Sequence, residues 1–333
     1  MCLDLDYDIR GLKNLDVKLI AYTIPVINTD PRRLIVLAVK VSSGKLHEKE
    51  WKHYLTEYPE KDVHNFVIDA VKYPVVLEHI VFTFLIDGIS RVTSHQLVRH
   101  RLATYTQESQ RYSESYMQKA LYSIVEAFKN GSINPVLVIP ECVELVIKEF
   151  KNEASEDDRI KCDKAKERAF KELISKLESA FQKREASYII NLFLNSSSIR
   201  KLLDRSDRAC YDMHEDFKKA MLKAVEEAFV IPPSIKANER VCLAEEYLLS
   251  IARYYDLIKK GVPYEDARFV IPQAIKTRLM MTVNLRELIH IACLRLNEKS
   301  QWEIRELVKK MIDEVSRIVP EIYELIDKTC GSR

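Results

Sequence analysis

Apolar positions alternate in some stretches of the chain and recur at helical spacing in others, and the changes of rhythm mark its elements. Residues 17–42 hold two runs rich in β-branched residues, VKLIAYTIPVI and LIVLAVKV, separated by the turn-forming NTDPRR. They read as two strands, or as a strand followed by a short helix. Val63, Phe66, Val67, Ala70 and Val71 recur every three or four residues, which predicts a short amphipathic helix over 61–72 that stops before Pro74. EHIVFTFLID (78–87) alternates and predicts a strand ended by Asp87-Gly88. Residues 89–100 then predict a helix with Arg99-His100-Arg101 at its C-terminal end.

From 114 to about 238 the rhythm is helical. Phe170, Leu173, Ile174, Leu177, Ala180 and Phe181 form one stripe, and the charge run at 148–168 reads as a solvated helical face. Residues 239–260 predict a helix ended by Gly261, with Pro263 just beyond. Asn284 and Glu287, and again Ser300 and Glu303, have the spacing of an N-cap and its third-position partner. The second pair precedes a long amphipathic helix running to Pro320.

Composition bounds the picture. The 333 residues suit one large domain with an insertion, or two domains, and 47% apolar residues can bury a sizeable core. The net charge is +2, so no global field draws the chain toward nucleic acid or membrane. Cys2, Cys142, Cys162, Cys210, Cys242, Cys293 and Cys330 are odd in number and include no CxxC pair. That argues against a disulfide framework and a four-cysteine zinc site. Cys210 and His214, four apart, read as an incidental pair, and no metal is expected. The N-terminal MCLDLDYDIRG lacks the pattern of a signal peptide, and runs such as HIVFTFLI are too short to span a bilayer. A cytoplasmic protein is the expectation.

The candidate chemistry lies in two stretches. RHRLATYTQESQR (99–111) joins Arg99, Arg101 and Arg111 to the hydroxyls of Thr104, Thr106 and Ser109. In NLRELIHIACLR (284–295), Arg286 and His290 are one helical turn apart, and Arg295 falls near the same side. Alone, that helix would be an ordinary surface stripe. Arg268, however, sits in the otherwise apolar YEDARFVIP, and no equal cluster of carboxylates lies beside these arginines in sequence. Bidentate contacts to phosphate explain the surplus. A nucleophilic Ser109 lacks a GxSxG turn, and a nucleic-acid surface lacks a motif and a strong positive charge. No GxGxxG or P-loop occurs. The residues themselves thus reach a mixed α/β protein that binds phosphorylated ligands, and no further.

Arg99-His100-Arg101, seven residues, then Ser109 resembles the signature of the flavin-dependent thymidylate synthases. LEHIVFTF (77–84), SQRYS (109–113), GVPYEDARFVIP (261–272), TVNLRELIHIACLR (282–295) and SQWEIR (300–305) resemble the same family, in the same order. The resemblance implies an α+β fold, a mixed sheet packed with helices. Residues 1–113 and 239–333 would form the catalytic domain, and 114–238 a mainly helical insertion. It further implies a homotetramer that methylates dUMP to dTMP, with methylenetetrahydrofolate as carbon donor, FAD as hydride carrier and NADPH as reductant. Carried over, Ser42, Arg99, His100, Arg101, Gln107, Asn284, Arg286 and His290 would bind FAD. Gln96, Arg99, Gln107, Ser109, Arg111, Arg268 and Arg295 would bind dUMP. Arg295 would be catalytic, favouring the anionic N3 form of the uracil. The chain departs from the family pattern at Tyr73 and Val75, where a histidine and a Ser/Thr are usual. Thr104 stands for a serine, Gln107 for a frequent glutamate, and Lys299 for an occasional histidine. A paralogue that binds flavin or nucleotide without turnover is the alternative these departures allow.

Overall fold

The computed structural model describes residues 15–135, 137–196 and 215–331. Cys2, the segment MCLDLDYDIRG, Cys210 and His214 lie outside the described residues. In chain order the elements begin with β1 (Asp16–Tyr22), α1 (Arg33–Ser42), α2 (Trp51–Thr56), α3 (Glu60–Asp69), β2 (Val81–Ser90), α4 (Arg91–Leu97) and β3 (Ala103–Gln107). There follow α5 (Ser115–Lys129), α6 (Pro140–Phe150), α7 (Glu156–Gln182), α8 (Ala186–Asn195), α9 (Glu215–Ala228), α10 (Ala237–Lys259) and α11 (Tyr264–Ala267). The chain continues through β4 (Lys276–Asn284), α12 (Leu285–Arg295), α13 (Trp302–Ser316) and α14 (Ile322–Gly331). They form two compact units, one drawn from the chain up to Glu108 and from Lys276 onward, the other from Ser109–Ile275.

The first unit is α+β. Its sheet has the order β1-β2-β4-β3 and every pairing is antiparallel. The expected mixed sheet is corrected here: β4 enters between β2 and β3 and runs against both. Alternation along β2 buries Phe82, Phe84 and Ile86 beside Leu279, Met281 and Val283 of β4. This face packs with Leu288 and Ile291 of α12 and Leu307 and Met311 of α13 in one apolar core. The β-branched run after NTDPRR is a helix, α1, not a second strand. Its Ile35 and Val36 are fully buried in the same core, so packing overrides local propensity.

β2 also runs on past the predicted Asp87-Gly88 stop. Gly88 has φ +85° at a register shift between Asp87 and Ile89, a bulge that a residue without Cβ accommodates cheaply. The strand ends at Ser90, which is the N-cap of α4: its Oγ accepts from the Thr93 N–H at 3.1 Å. Ser90 in turn donates its N–H to Glu303 Oε1 and its Oγ–H to Glu303 Oε2, both at 2.6 Å and all buried. Glu303 is therefore not the partner of a Ser300 cap. Gln301 caps α13 through Ile304 N–H, and Ser300 Oγ donates to the Leu294 carbonyl. Truncation by Glu303→Ala would leave two buried donors unsatisfied, and we expect it to cost about 3 kcal/mol in a denaturant melt. A loss below about 1 kcal/mol, no more than an ordinary hydrogen bond is worth, would contradict this.

The second unit is helical throughout its named elements. Leu173, Leu177 and Ala180 of the predicted stripe are buried, and Phe128, Phe193 and Phe217 meet ring to ring at its centre. The charge run is mostly exposed, with Ser155 and Asp158 forming a reciprocal cap at the start of α7. Contrary to the expectation from cysteine number and spacing, the chain holds disulfides. Cys142 bonds Cys162 between α6 and α7, Cys293 bonds Cys330 between α12 and α14, and Cys242 is disulfide-bonded too. Separations of 20 and 37 residues leave no local spacing for a sequence reading to detect. No helix among the described residues is long and apolar enough to cross a membrane.

Candidate functional site

The RHR triplet does not end a helix as its apolar spacing suggests. α4 stops at Leu97, and the triplet occupies the tight turn into β3, where His100 N–H donates to the Leu97 carbonyl at 3.1 Å. Tyr105 of β3 secures this turn, its hydroxyl lying 2.9 Å from the Leu97 carbonyl and 3.0 Å from the His100 carbonyl. The turn sends His100 inward, 6% exposed. It leaves Arg99 and Arg101 exposed, without a hydrogen-bond or ion-pair partner among the described residues. Two such guanidiniums flanking a buried imidazole suit an anionic ligand.

α12 brings its polar residues to the same turn. Arg295 donates from Nε to His100 Nε2 at 3.0 Å, and from Nη2 to the Gln96 carbonyl at 3.4 Å. An accepting Nε2 carries no proton, so His100 is neutral with its hydrogen on Nδ1. Burial first, then Arg295 and His290, hold its pKa down to about 4. In the unfolded chain an ordinary histidine protonates near 6.5. As pH falls from about 6.5 toward 4, the unfolded form takes up a proton that the folded form refuses, so stability is lost across that window and is intact above it. We expect the His100 Hε1 resonance to show no titration above about pH 5. A midpoint near 6.5 would contradict the arrangement.

Asn284 caps α12, its Oδ1 accepting from Glu287 N–H at 2.8 Å. The reciprocal half of the expected box is absent. Instead the Glu287 carboxylate turns inward, with Oε1 3.8 Å from His100 Nδ1. Arg286 is exposed and pairs with Glu78 at 2.5 Å, and His290 is half-buried on the same helix. Gln107 Nε2 donates to Ser94 Oγ at 2.9 Å and Thr277 Oγ1 at 3.2 Å, which fixes the end of β3 against α4 and β4. Ser42, at the last residue of α1, is exposed and donates to the Val39 carbonyl of its own turn. Among the described residues, no side-chain hydrogen bond joins it to the other candidates. Tyr73 and Val75 are exposed, just before Glu78.

The remaining candidates belong to the second unit. Ser109 Oγ accepts from Arg111 N–H at 3.2 Å. The carboxylate of Glu265 lies 3.7 Å from Arg111, and its carbonyl accepts from Arg268 Nε at 3.0 Å. Glu265 thus gathers Arg111 and Arg268, and Arg268 is half-exposed rather than enclosed by its apolar segment. Sequence reading missed Glu265, Glu287, Glu78 and Tyr105. Only Glu287 carried a signal, and that signal was for a helix cap.

The chemistry of the first unit's donors fits a flavin dinucleotide. Arg99 and Arg101 offer uncommitted cationic forks, and Asn284, Arg286 and His290 add polar groups along one helix. The family described as thymidylate synthase complementing protein matches over residues 18–203 and 203–321. A flavin-dependent thymidylate synthase from Aeropyrum pernix is 30% identical over 96% of this chain and 80% of its own length. One from Sulfolobus acidocaldarius is 26% identical over 95% and 78%. Among solved structures, a flavin-dependent thymidylate synthase from Helicobacter pylori, complexed with FAD and dUMP, superposes with a TM-score of 0.52. It is 16% identical, over 94% of this chain and 99% of that one, and so bears on the fold alone. With the family's sequence pattern present along most of its length and the family's fold around it, the chain belongs to the thymidylate synthase complementing proteins and is a flavin-dependent thymidylate synthase.

Proposed function

We propose that this enzyme methylates dUMP to dTMP, taking carbon from methylenetetrahydrofolate and reducing power from NADPH, with FAD as its resident cofactor. The observation that carries the reading is the neutral His100 gripping Arg295 between two uncommitted arginines. Arg99, His100, Arg101, Asn284, Arg286 and His290 would hold FAD, with Ser42 and Gln107 at its margin. When bound, FAD supplies the hydride chemistry. Arg295, always charged and planar, favours the uracil anion deprotonated at N3, which makes the ring more electron-rich. Gln96, Arg99 and Gln107 orient the nucleotide. Ser109, Arg111 and Arg268 form a separate group, a hydroxyl and two guanidiniums, whose chemistry suits a phosphate and a sugar. The reading extends to a homotetramer in the cytoplasm, which sedimentation and localisation would test.

The deciding experiment supplies FAD, dUMP, methylenetetrahydrofolate and NADPH to purified protein and follows dTMP. Yellow protein that forms dTMP is the expected result. Yellow protein that forms none would make it a flavin-binding paralogue, and protein that cannot be reconstituted with flavin would overturn the reading altogether.

A further inference from the structure

Glu287 is the buried carboxylate that faces the interior side of His100. It is 5% exposed, and Oε1 stands 3.8 Å from Nδ1. At that distance there is no formed hydrogen bond, but the charge acts at close range where water is excluded. The groups facing His100 are Arg295 and His290 on α12, Glu287 on the same helix, and Tyr105 on β3, whose hydroxyl meets the His100 carbonyl. Two of these neighbours, Arg295 and His290, disfavour a charged imidazole, and burial does the same. That leaves a neutral ring with two tautomers. A carboxylate beside Nδ1 favours the tautomer with its hydrogen there, and only that tautomer leaves Nε2 bare to accept from Arg295 Nε. With the other tautomer, Nε2–H would point at Nε–H and push the guanidinium away.

We propose that Glu287 is a positioning residue for turnover: by fixing the Nδ1–H tautomer of His100, it fixes the orientation of the Arg295 guanidinium. The proposal rests on the reading of Arg295 as the group that polarises the uracil. Its placement explains why the third residue of α12 does not close the cap that its sequence spacing suggests. The carboxylate is withdrawn from the Asn284 N–H and spent on the imidazole. The logic is that of ligating histidines whose second nitrogen is oriented by a carboxylate, where losing the outer partner costs about 10–100-fold.

The test uses the FAD-loaded enzyme. In Glu287→Gln, nearly isosteric and uncharged, kcat should fall about 10-fold or more while KM for dUMP and flavin content stay close to wild type. The ¹⁵N spectra of histidine-labelled protein should show His100 moving from the Nδ1–H tautomer to a mixture. Glu287→Asp, which keeps the charge, should restore the tautomer and much of kcat. It also serves as the measurement if the glutamine variant does not fold. An unchanged tautomer in Glu287→Gln overturns the proposal, as does a changed tautomer with wild-type kcat, or a Glu287→Asp protein without the Nδ1–H form. Wild-type turnover in Arg295→Ala is a different failure: it removes the reading beneath the proposal and is seen without touching Glu287.

Discussion

Replacing Arg295 by alanine is expected to reduce dTMP formation by about 10²–10³-fold, the range for removing one preorganised donor aimed at developing charge, while flavin stays bound. The side chain is half-buried, and its protein contacts are the His100 Nε2 and the Gln96 carbonyl. Losing them costs about 2 kcal/mol of folding stability, less than the roughly 5 kcal/mol or more by which a folded domain is stable. What disappears is a permanently charged planar fork held in one orientation. Lysine should not restore it, because a single ammonium cannot bond the imidazole and present a second donor pair to a uracil edge. Steady-state kinetics together with the flavin absorbance ratio check the outcome. Unchanged turnover would take Arg295 out of the mechanism, and loss of flavin alongside turnover would assign it to the cofactor instead.

The second large effect concerns stability. Serine at both Cys293 and Cys330 should destabilise the first unit by about 4 kcal/mol, the chain-entropy value for a cross-link spanning 37 residues. For a chain of this length that corresponds to a fall in Tm of about 6 °C. Scanning calorimetry of the double serine variant, with thiol reductant on the native protein as a second route, reads it directly. A melting temperature within a degree or two of wild type would show that packing between α12 and α14 already supplies what the bond appears to add. Because Cys293 sits between His290 and Arg295 on α12, a shift in Tm accompanied by loss of kcat would show that the bond also steadies the site.

Much of this was legible in the sequence, for identifiable reasons. The helical stripe of α7, the helices α3, α10 and α12, and the Asn284 cap follow from contacts within a few residues, which periodicity and capping rules read directly. The alternating pattern predicts β2 three residues ahead of its position at Val81–Ser90. Its predicted start, Glu78-His79, belongs to a 3₁₀ segment over Pro74–His79, and the glycine taken as its end is a bulge inside it. Sequence alone leaves α1 open between strand and helix, since Ile35 and Val36 favour strands and only the core they enter decides. The RHR motif was visible as chemistry, but not the turn that aims His100 inward, because Tyr105 makes that turn from a neighbouring strand. Ser90 with Glu303 and His100 with Arg295 are 213 and 195 residues apart, and no local rule joins such partners. The disulfides escaped for the same reason.

Asn284 is at once the last residue of β4, opposite Val81 of β2, and the N-cap of α12. Leu285 N–H is still bonded to the Ile80 carbonyl at 2.8 Å. No linker absorbs slack between the strand and the helix that carries Arg286, His290 and Arg295. One residue inserted here would rotate the helix by about 100° and advance it by about 1.5 Å, turning all three side chains away together. One residue deleted would do the same in the opposite sense. Descendants of this chain can therefore exchange side chains at the junction far more readily than they can change its length.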